Sequence, residues 1–351
     1  MRTPPIFDGH NDVLNRNLPA GVDPVSAFIE GGQGGHIDVP RARAGGFMGG
    51  FFAVWLPSPV DLTGLTDAMQ QPSYDMPMPP PLERTKALQD ALAQVSLLNR
   101  LEVAGALEIC TSVDRIEACA GTGTMAAILH FEGGEAIDPD FHALEVFHRA
   151  GLRSLGPVWS RNTIFAEGVP FRFPSTGDIG GGLTEAGRQL IRECNRLGIM
   201  LDLSHLNEAG FWDIARLSNA PLVATHSNAH ALCPHARNLT DKQLAAIAES
   251  DGMVGLNFAG AFLRADGQMT ADVPLETLLA HLDHMIGLLG EDRVGLGSDF
   301  DGAVVPQVIG DVSGLPRLIN AMAEHGYGDE LIENLAWRNW MRVLRKTWKQ
   351  D

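Results

Sequence analysis

Short apolar segments rich in strand-forming residues alternate with longer segments of helical periodicity along most of this chain. This alternation is typical of parallel strands joined by crossover helices, because each helix returns the chain to the same end of the sheet. The candidate strands are 4–10, 47–56, 125–131, 152–158, 199–205, 221–226, 252–258 and 293–299. The candidate helices are 84–103, 139–150, 184–197, 207–218, 240–250, 275–289, 315–325 and 328–346.

Eight strands of this kind favour a closed α/β barrel, a TIM-like (β/α)8 fold, over an open doubly wound sheet. An open sheet is the alternative, but it would scatter the polar residues described below. Residues 107–111 are a candidate for an accessory ninth strand or an extended turn. Because barrels of this type often exceed about 250 residues with insertions, we expect one domain over residues 1–351.

Two long segments interrupt the alternation after the second and fourth predicted strands. Segment 57–83 contains seven prolines, and segment 159–183 contains three consecutive glycines, Gly180 to Gly182. Loops that follow barrel strands lie at the carboxyl-terminal mouth, where ligands bind. We therefore expect both segments to form pocket walls.

Charge and targeting features restrict the partners of the chain. Its formal net charge of −17 predicts repulsion from nucleic acids and anionic membranes. Neither an export signal nor an apolar stretch of membrane-spanning length is recognisable, which predicts a cytoplasmic protein. The four cysteines show no close paired spacing, so we expect buried free thiols.

Five predicted strands end at side chains that bind metals or transfer protons. Because side chains alternate along a strand, His10 and Asp12 project to the same side, as two ligands of one ion require. The other strand ends carry Glu132, His205, His226 and Asp299. In a parallel barrel all of these ends open on one face. One such residue is ordinarily just a hydrogen-bonded polar group, but repetition at five strand ends predicts a site.

The donor types in this set indicate a metal centre. Imidazole nitrogens and carboxylate oxygens suit Zn²⁺, with Mn²⁺ or Co²⁺ as plausible substitutes. The donors exceed what one tetrahedral ion can use while it keeps a water position, so we predict two ions bridged by Glu132. A carbamylated lysine bridge is not expected, because none of the four lysines lies at a predicted strand end.

The motifs at these strand ends resemble the membrane (renal) dipeptidase family of binuclear zinc peptidases, within the amidohydrolase superfamily. They are Asp8-Gly9-His10-Asn11-Asp12, Glu132-Gly133-Gly134, Asp202-Leu203-Ser204-His205, Thr225-His226-Ser227, Arg237-Asn238 and Gly297-Ser298-Asp299-Phe300-Asp301-Gly302. The resemblance implies a bacterial-type member without a membrane anchor that hydrolyses dipeptides, L-D as well as L-L, and that forms a homodimer. It also implies zinc ligation by His10, Asp12, Glu132, His205 and His226, proton transfer by Asp299, and binding of the substrate carboxylate by Arg237.

One position departs from the family pattern. Where better-known members have a histidine that binds the oxygen of the tetrahedral intermediate, this chain has Trp159. We expect either that Arg161, Asn162 or the metal takes over this role, or that turnover of ordinary dipeptides is reduced.

Other readings stay open at this stage. The chain is alternatively an amidohydrolase for another small amide, such as an N-acyl amino acid, or a catalytically silent barrel that binds a metal or small ligand. Arg237 is alternatively paired with Asp241 on the surface. His130 is expected to be a hydrogen-bonded interior residue. Asp8 is expected either to orient a ligand histidine or to be a structural residue.

Overall fold

The computed structural model describes residues 3–16, 18–59 and 64–348. Its strands are β1 (Ile6–Asn11), β2 (Phe47–Trp55), β3 (Tyr74–Asp75), β4 (Leu107–Ile109), β5 (Met125–Glu132), β6 (Leu152–Gly156), β7 (Arg172–Phe173), β8 (Met200–Leu201), β9 (Val223–Ala224), β10 (Met253–Leu256) and β11 (Val294–Leu296). The α-helices are α1 (Pro24–Glu30), α2 (Val39–Gly45), α3 (Leu65–Ala68), α4 (Arg84–Val103), α5 (Val113–Thr122), α6 (His142–Arg149), α7 (Glu185–Leu197), α8 (Glu208–Leu217), α9 (Asp241–Glu249), α10 (Gly260–Leu263), α11 (Leu275–Leu289), α12 (Leu315–His325), α13 (Asp329–Glu333) and α14 (Asn339–Trp348). Short 3-10 helices cover Val13–Asn15 and Val312–Gly314, and a π-helical turn covers Asn334–Arg338.

Eight parallel strands form a nearly closed barrel, which confirms the predicted fold. Their order is β8, β6, β5, β2, β1, β11, β10 and β9. A parallel bridge between Asp202 and Val223 joins the two ends of this order. The accessory strand over 107–111 also exists in shortened form, since β4 pairs with the beginning of β5 outside the barrel path.

Most predicted strands are too long at their carboxyl ends. The strand expected over 199–205 comprises Met200–Leu201, and the one expected over 293–299 comprises Val294–Leu296. His205 and Asp299 have φ angles of 65° and 59°, in the left-handed region that interrupts an extended backbone. His205 and Asp299 therefore lie on turns after the strands, whereas His10 and Glu132 lie within β1 and β5.

All the predicted helices are present, although the last is interrupted. Segment 328–346 is divided into α13, the π-helical turn and α14. Side-chain caps mark several starts, such as Thr184, which accepts from Gly187 N at 3.0 Å. Five α-helices of the described chain were not predicted. Of these, α1, α2, α3 and α10 are too short to show apolar periodicity, whereas α5 has ten residues and was missed.

The last helix packs into the amino-terminal end of the barrel. Trp340 is fully buried in a cluster that includes the first residues of several strands, and its Nε1 donates to Leu296 O at 3.0 Å. A Cβ on Gly9 would lie 2.4 Å from the Trp340 ring, so the glycine leaves the space that the indole fills. These apolar residues are used within the chain and give no separate support to the predicted homodimer.

The two long loops meet at the opposite, carboxyl-terminal end. Strands β3 and β7 pair antiparallel, and Arg172 Nε donates to Asp75 Oδ1 at 2.7 Å. Residues of both loops line one cavity with Glu132, as expected for pocket walls; residues 60–63 lie outside the described part.

Two further predictions concern thiols and membranes. All four cysteines are buried and free, as expected. Among the described residues, every helix falls short of the length or apolar character that a membrane span requires.

Candidate metal centre

The carboxyl ends of the barrel strands open into a cavity of about 410 Å³, which is in the size range of small-molecule sites. Its wall combines carboxylates with apolar side chains. The lining residues are Asp12, Asn15, Trp55, Leu65, Thr66, Met69, Glu132, Trp159, Phe171, His205, Phe262, Met269, Asp299, Asp301, Gly302, Ala303 and Val304. Five predicted site residues therefore share this wall: Asp12, Glu132, Trp159, His205 and Asp299.

Glu132, His205 and His226 place three donor atoms at the corners of a nearly regular triangle. Glu132 Oε1 lies 3.0 Å from His205 Nε2 and 3.3 Å from His226 Nε2. The two imidazole nitrogens are 3.2 Å apart. Donor atoms around a tetrahedral ion with bonds of about 2.0 Å are about 3.3 Å apart. The three side chains thus match one face of a tetrahedral site.

His10 and Asp12 lie beside this triangle. His10 Nε2 is 3.3 Å from Asp12 Oδ2 and 3.7 Å from Glu132 Oε1. Donor atoms of His10, Asp12 and Asp299 all lie within 4.8 Å of one another. Because Glu132 is close to both groups of donors, it occupies the position that a bridging carboxylate needs.

Hydrogen bonds behind the imidazole rings orient two of the candidate ligands. His205 Nδ1 is 2.8 Å from Ser160 Oγ, and His226 Nδ1 is 2.8 Å from Thr225 Oγ1. The Thr225 hydroxyl donates to Asp202 Oδ2 at 2.6 Å, so it accepts from the N–H of His226. This tautomer leaves a lone pair on His226 Nε2, as metal binding requires.

The electrostatics of the group favour a bound cation. Burial raises the pKa of Glu132 well above its usual range, and burial lowers the pKa values of His205 and His226 well below theirs. Burial would also lower the pKa of His10, but the charges of Glu132 and Asp12 raise it to about 10. The carboxylates therefore attract positive charge into a buried site.

An unpartnered atom supports the same conclusion. Asp12 Oδ1 is buried and, within the described residues, has no hydrogen-bond partner. Buried carboxylate oxygens normally bind a donor or a metal. The residues present thus fit a metal centre with imidazole and carboxylate ligands, for which Zn²⁺, Mn²⁺ and Co²⁺ are suitable.

Asp299 is placed for proton transfer at this centre. It lines the cavity beside His10 and Asp12, and its Oδ2 accepts from Asn257 Nδ2 at 3.0 Å. Burial raises the pKa of Asp299 above its usual value, and a carboxylate in this position is suited to accept and return a proton. Asn257 was not predicted as a site residue, although a polar residue near the end of the strand predicted over 252–258 was an available signal.

Trp159 lies in the cavity wall next to a candidate ligand. Its ring centroid is 5.8 Å from that of His205 and 5.2 Å from that of Trp55. The tryptophan therefore lies in the cavity wall, and its contact with a substrate stays a prediction.

The structure does not bring Arg161 and Asn162 to the cavity. Arg161 is fully buried and donates to Glu135 Oε1 at 2.9 Å, to Ser58 Oγ at 2.9 Å and to Leu56 O at 3.0 Å. Asn162 Oδ1 accepts from Gly168 N at 3.1 Å, and neither residue lines the cavity. The polar atoms of Arg161 and Asn162 form hydrogen bonds that stabilise the loops. This corrects the expectation that either residue replaces the histidine that binds the tetrahedral intermediate in the family.

Arg237 lies deeper than expected. It is 3% exposed rather than at the rim, and it donates to Ser227 Oγ at 2.7 Å and to His226 O at 2.8 Å. The alternative partner Asp241 is bound to His284 instead. No carboxylate of the described chain lies within ion-pair distance of the guanidinium, which packs against Phe262 of the cavity wall.

Two neighbouring residues have structural contacts. His130 is buried with Nδ1 at 2.9 Å from Ser154 Oγ, as predicted for an interior residue. Asp8 accepts from the backbone N and the hydroxyl of Ser298 at 2.7 and 2.8 Å, so it connects β1 to the turn after β11 instead of orienting a ligand histidine.

Comparison with known proteins finds relatives among metallopeptidases and dipeptidases. The sequence matches the family model described as membrane dipeptidase, peptidase family M19, over residues 1–350. A Rhodobacter sphaeroides metallopeptidase, solved with a phosphinate mimic of the dipeptide L-Ala-D-Ala, is 53% identical with a TM-score of 0.96, covering 99% of this chain and 100% of that chain. An uncharacterised protein of Klebsiella pneumoniae is 49% identical over 259 residues, 73% of this chain and 96% of the relative. A dipeptidase of Claviceps purpurea (strain 20.1) is 29% identical over 315 residues, 89% of this chain and 69% of the relative.

Proposed function

The chain belongs to the membrane dipeptidase family, peptidase family M19, and from that premise we propose that it hydrolyses dipeptides with the help of two zinc ions. The observation that carries the proposal is the position of Glu132 Oε1, which is 3.0 Å from His205 Nε2 and 3.7 Å from His10 Nε2. One carboxylate thus faces both donor groups. Bound zinc ions supply Lewis acidity, which lowers the pKa of a water molecule and polarises the scissile carbonyl.

The chain itself supplies the proton transfer. Asp299, held by Asn257 at 3.0 Å, accepts the proton of the attacking water and returns it to the leaving amine. Burial raises the pKa of Asp299 above its usual value, which favours its acceptance of the proton.

We further propose that Arg237 binds the free carboxylate of the substrate. Two of its nitrogens are hydrogen-bonded within the chain, while its Nε is a buried donor with no partner among the described residues. A guanidinium has five N–H donors, so several stay available for a carboxylate. Arg237 itself does not line the cavity, but Phe262, which does, packs against its guanidinium, so a substrate carboxylate would reach Arg237 from the Phe262 side.

The test combines elemental analysis with a substrate panel. We expect two zinc ions per chain and hydrolysis of L-L and L-D dipeptides, with weak activity on dipeptide amides and N-acyl amino acids. A fully active protein with one ion would exclude the bridge. Comparable cleavage of free and amidated dipeptides would remove the role of Arg237, and preference for N-acyl amino acids would support a different amidohydrolase. Metal binding without any hydrolysis would indicate a silent barrel.

The predicted homodimer and cytoplasmic location are retained as proposals that rest on family resemblance and on the sequence. Light scattering of the purified protein tests the first. Fractionation of the native cells tests the second.

A further inference from the structure

Asp301 lines the same cavity, yet neither the candidate metal centre nor the proton transfer uses it. Its side chain is 3% exposed. One carboxylate oxygen, Oδ1, accepts from His36 N at 2.7 Å. The other, Oδ2, is buried and has no hydrogen-bond partner among the described residues. An ionised oxygen in this position costs free energy unless a donor reaches it.

Nearby cations do not satisfy this oxygen. His36 lies 3.7 Å away, on the Oδ1 side, and its Nδ1 is the acceptor for the backbone N–H of Asp301. Arg16 directs its Nη1 to the carbonyl oxygens of Gly34 and Ile37. Its Nε is buried and, among the residues that the structure describes, makes no hydrogen bond to Asp301. In the described chain, no Lys or Arg is among the residues that line the cavity.

The position of Asp301 fits one end of a small substrate. Gly302 follows it and lies against two carboxylates, because an added Cβ would be 2.1 Å from Asp12 Oδ2 and 2.5 Å from Asp299 Oδ1. Asp301 lines the same cavity as Asp12 and Asp299 but, within the described chain, is absent from the groups of donor atoms that could hold a metal. Its Oδ2 has no donor among the described residues and is left for a ligand.

We propose that Asp301 binds the α-ammonium group of the substrate and so restricts hydrolysis to amides with a free amino terminus. The inference rests on the proposed dipeptidase function. In a dipeptide the ammonium nitrogen is only two bonds from the scissile carbonyl carbon, so a carboxylate next to the centre is suitably placed for it. An ammonium offers three donors, and a charge-assisted hydrogen bond to Oδ2 satisfies the unpartnered oxygen. N-acylated and des-amino substrates lack this interaction.

The experiment compares L-Ala-L-Ala with N-propionyl-L-alanine, which has the same skeleton without the amino group. We expect the wild type to prefer the dipeptide by at least about 30-fold in kcat/KM, the lower end for loss of one partner of a buried charge pair. Asp301→Asn keeps an oxygen for His36 N but removes the charge. It should lower kcat/KM for the dipeptide by a similar factor and leave the des-amino substrate within about twofold, with zinc content unchanged.

The control is a variant of His36, which contacts Asp301 through two hydrogen bonds. His36→Ala removes the acceptor for Asp301 N but leaves the carboxylate charge. If the role of Asp301 were purely structural, His36→Ala and Asp301→Asn would lower activity on the dipeptide and on the des-amino substrate equally. We expect His36→Ala to retain the wild-type preference for the free amine. Competitive inhibition by phosphinate dipeptide mimics with and without the amino group measures the same preference without turnover.

The outcomes separate the two levels of the argument. If the wild type hydrolyses dipeptides but Asp301→Asn slows both substrates equally, or neither, the role of Asp301 is refuted and the dipeptidase function stands. If the wild type prefers the des-amino substrate, both fail. If it hydrolyses neither substrate with full zinc content, the dipeptidase function fails, and the inhibition constants alone decide the role of Asp301.

Discussion

Replacement of Gly302 by alanine should disable the metal centre while the barrel stays folded. Gly302 has no positive φ, so its backbone accepts alanine. A Cβ there would lie 2.1 Å from Asp12 Oδ2 and 2.5 Å from Asp299 Oδ1, whereas real Cβ contacts essentially never fall below 3.0 Å. The residue is exposed on the cavity side, so little apolar packing is at risk.

The magnitude follows from the required displacement. Asp12 Oδ2 has to move by about 0.9 Å and Asp299 Oδ1 by about 0.5 Å, while metal–ligand distances tolerate about 0.2 Å. Misplacement of a catalytic group by about 1 Å can cost about a hundredfold in rate. We therefore expect kcat to fall by about a hundredfold or more, with reduced occupancy of the ion that Asp12 binds.

The assay measures kcat, zinc content and thermal unfolding of the same preparations. Gly287→Ala is the matched control: Gly287 lies in α11 with open space around its Cβ position. It should keep full activity and gain up to about 1 kcal/mol of stability, because alanine is the better helix former. A Gly302→Ala protein with wild-type kcat and zinc content would refute the steric argument.

Four further substitutions test other parts of the site and fold. Glu132→Gln should lower the occupancy of both ions by elemental analysis, and an active variant with unchanged metal content would exclude the bridge. Asp299→Asn should retain metal and fold but lower kcat by about a hundredfold or more, since general acid–base catalysis supplies about 10²–10⁴; near wild-type turnover would reassign the proton transfer. Arg237→Met and amidation of the substrate carboxylate should each cost about 2–5 kcal/mol in kcat/KM, and the losses should not add; additive losses would place the carboxylate elsewhere. Burial lowers the pKa of His281 to about 4. As the pH falls from about 6.5 to about 4, protonation of this histidine should therefore lower the free energy of unfolding by on the order of 3 kcal/mol. His281→Gln should make this pH dependence shallower in denaturant titrations, and an unchanged slope would contradict the prediction.

The candidate metal ligands could be predicted because each is a local feature of the sequence. His10 and Glu132 lie near the carboxyl ends of β1 and β5, and His205 and His226 follow β8 and β9. A closed parallel barrel places all such positions on one face. Their mutual distances, such as 3.2 Å between His205 Nε2 and His226 Nε2, are consequences of that topology. No knowledge of individual side-chain contacts was needed.

The strand ends were less predictable. The predicted strands extend to His205 and Asp299, but the ladders end at Leu201 and Leu296, and His205 and Asp299 have left-handed φ angles. Such angles are set by the packing of the turns and not by the hydrophobic pattern.

The roles of the remaining polar residues depended on contacts between distant parts of the chain. Arg161 follows a barrel strand, where its donors were expected to reach the substrate. The structure shows that it donates instead to Ser58 and Leu56, which are 103 and 105 positions away. Asp301 meets His36 across 265 positions.

The sequence by itself therefore determined the barrel and the candidate metal ligands, since periodicity and strand-end position are properties of short segments. Only the tertiary structure decided which polar atoms are already hydrogen-bonded and which, like Asp301 Oδ2 and Arg237 Nε, are buried without a partner. The physical reason is that a polar atom is available to a ligand only when no other group of the folded chain satisfies it, and those groups come from anywhere in the sequence.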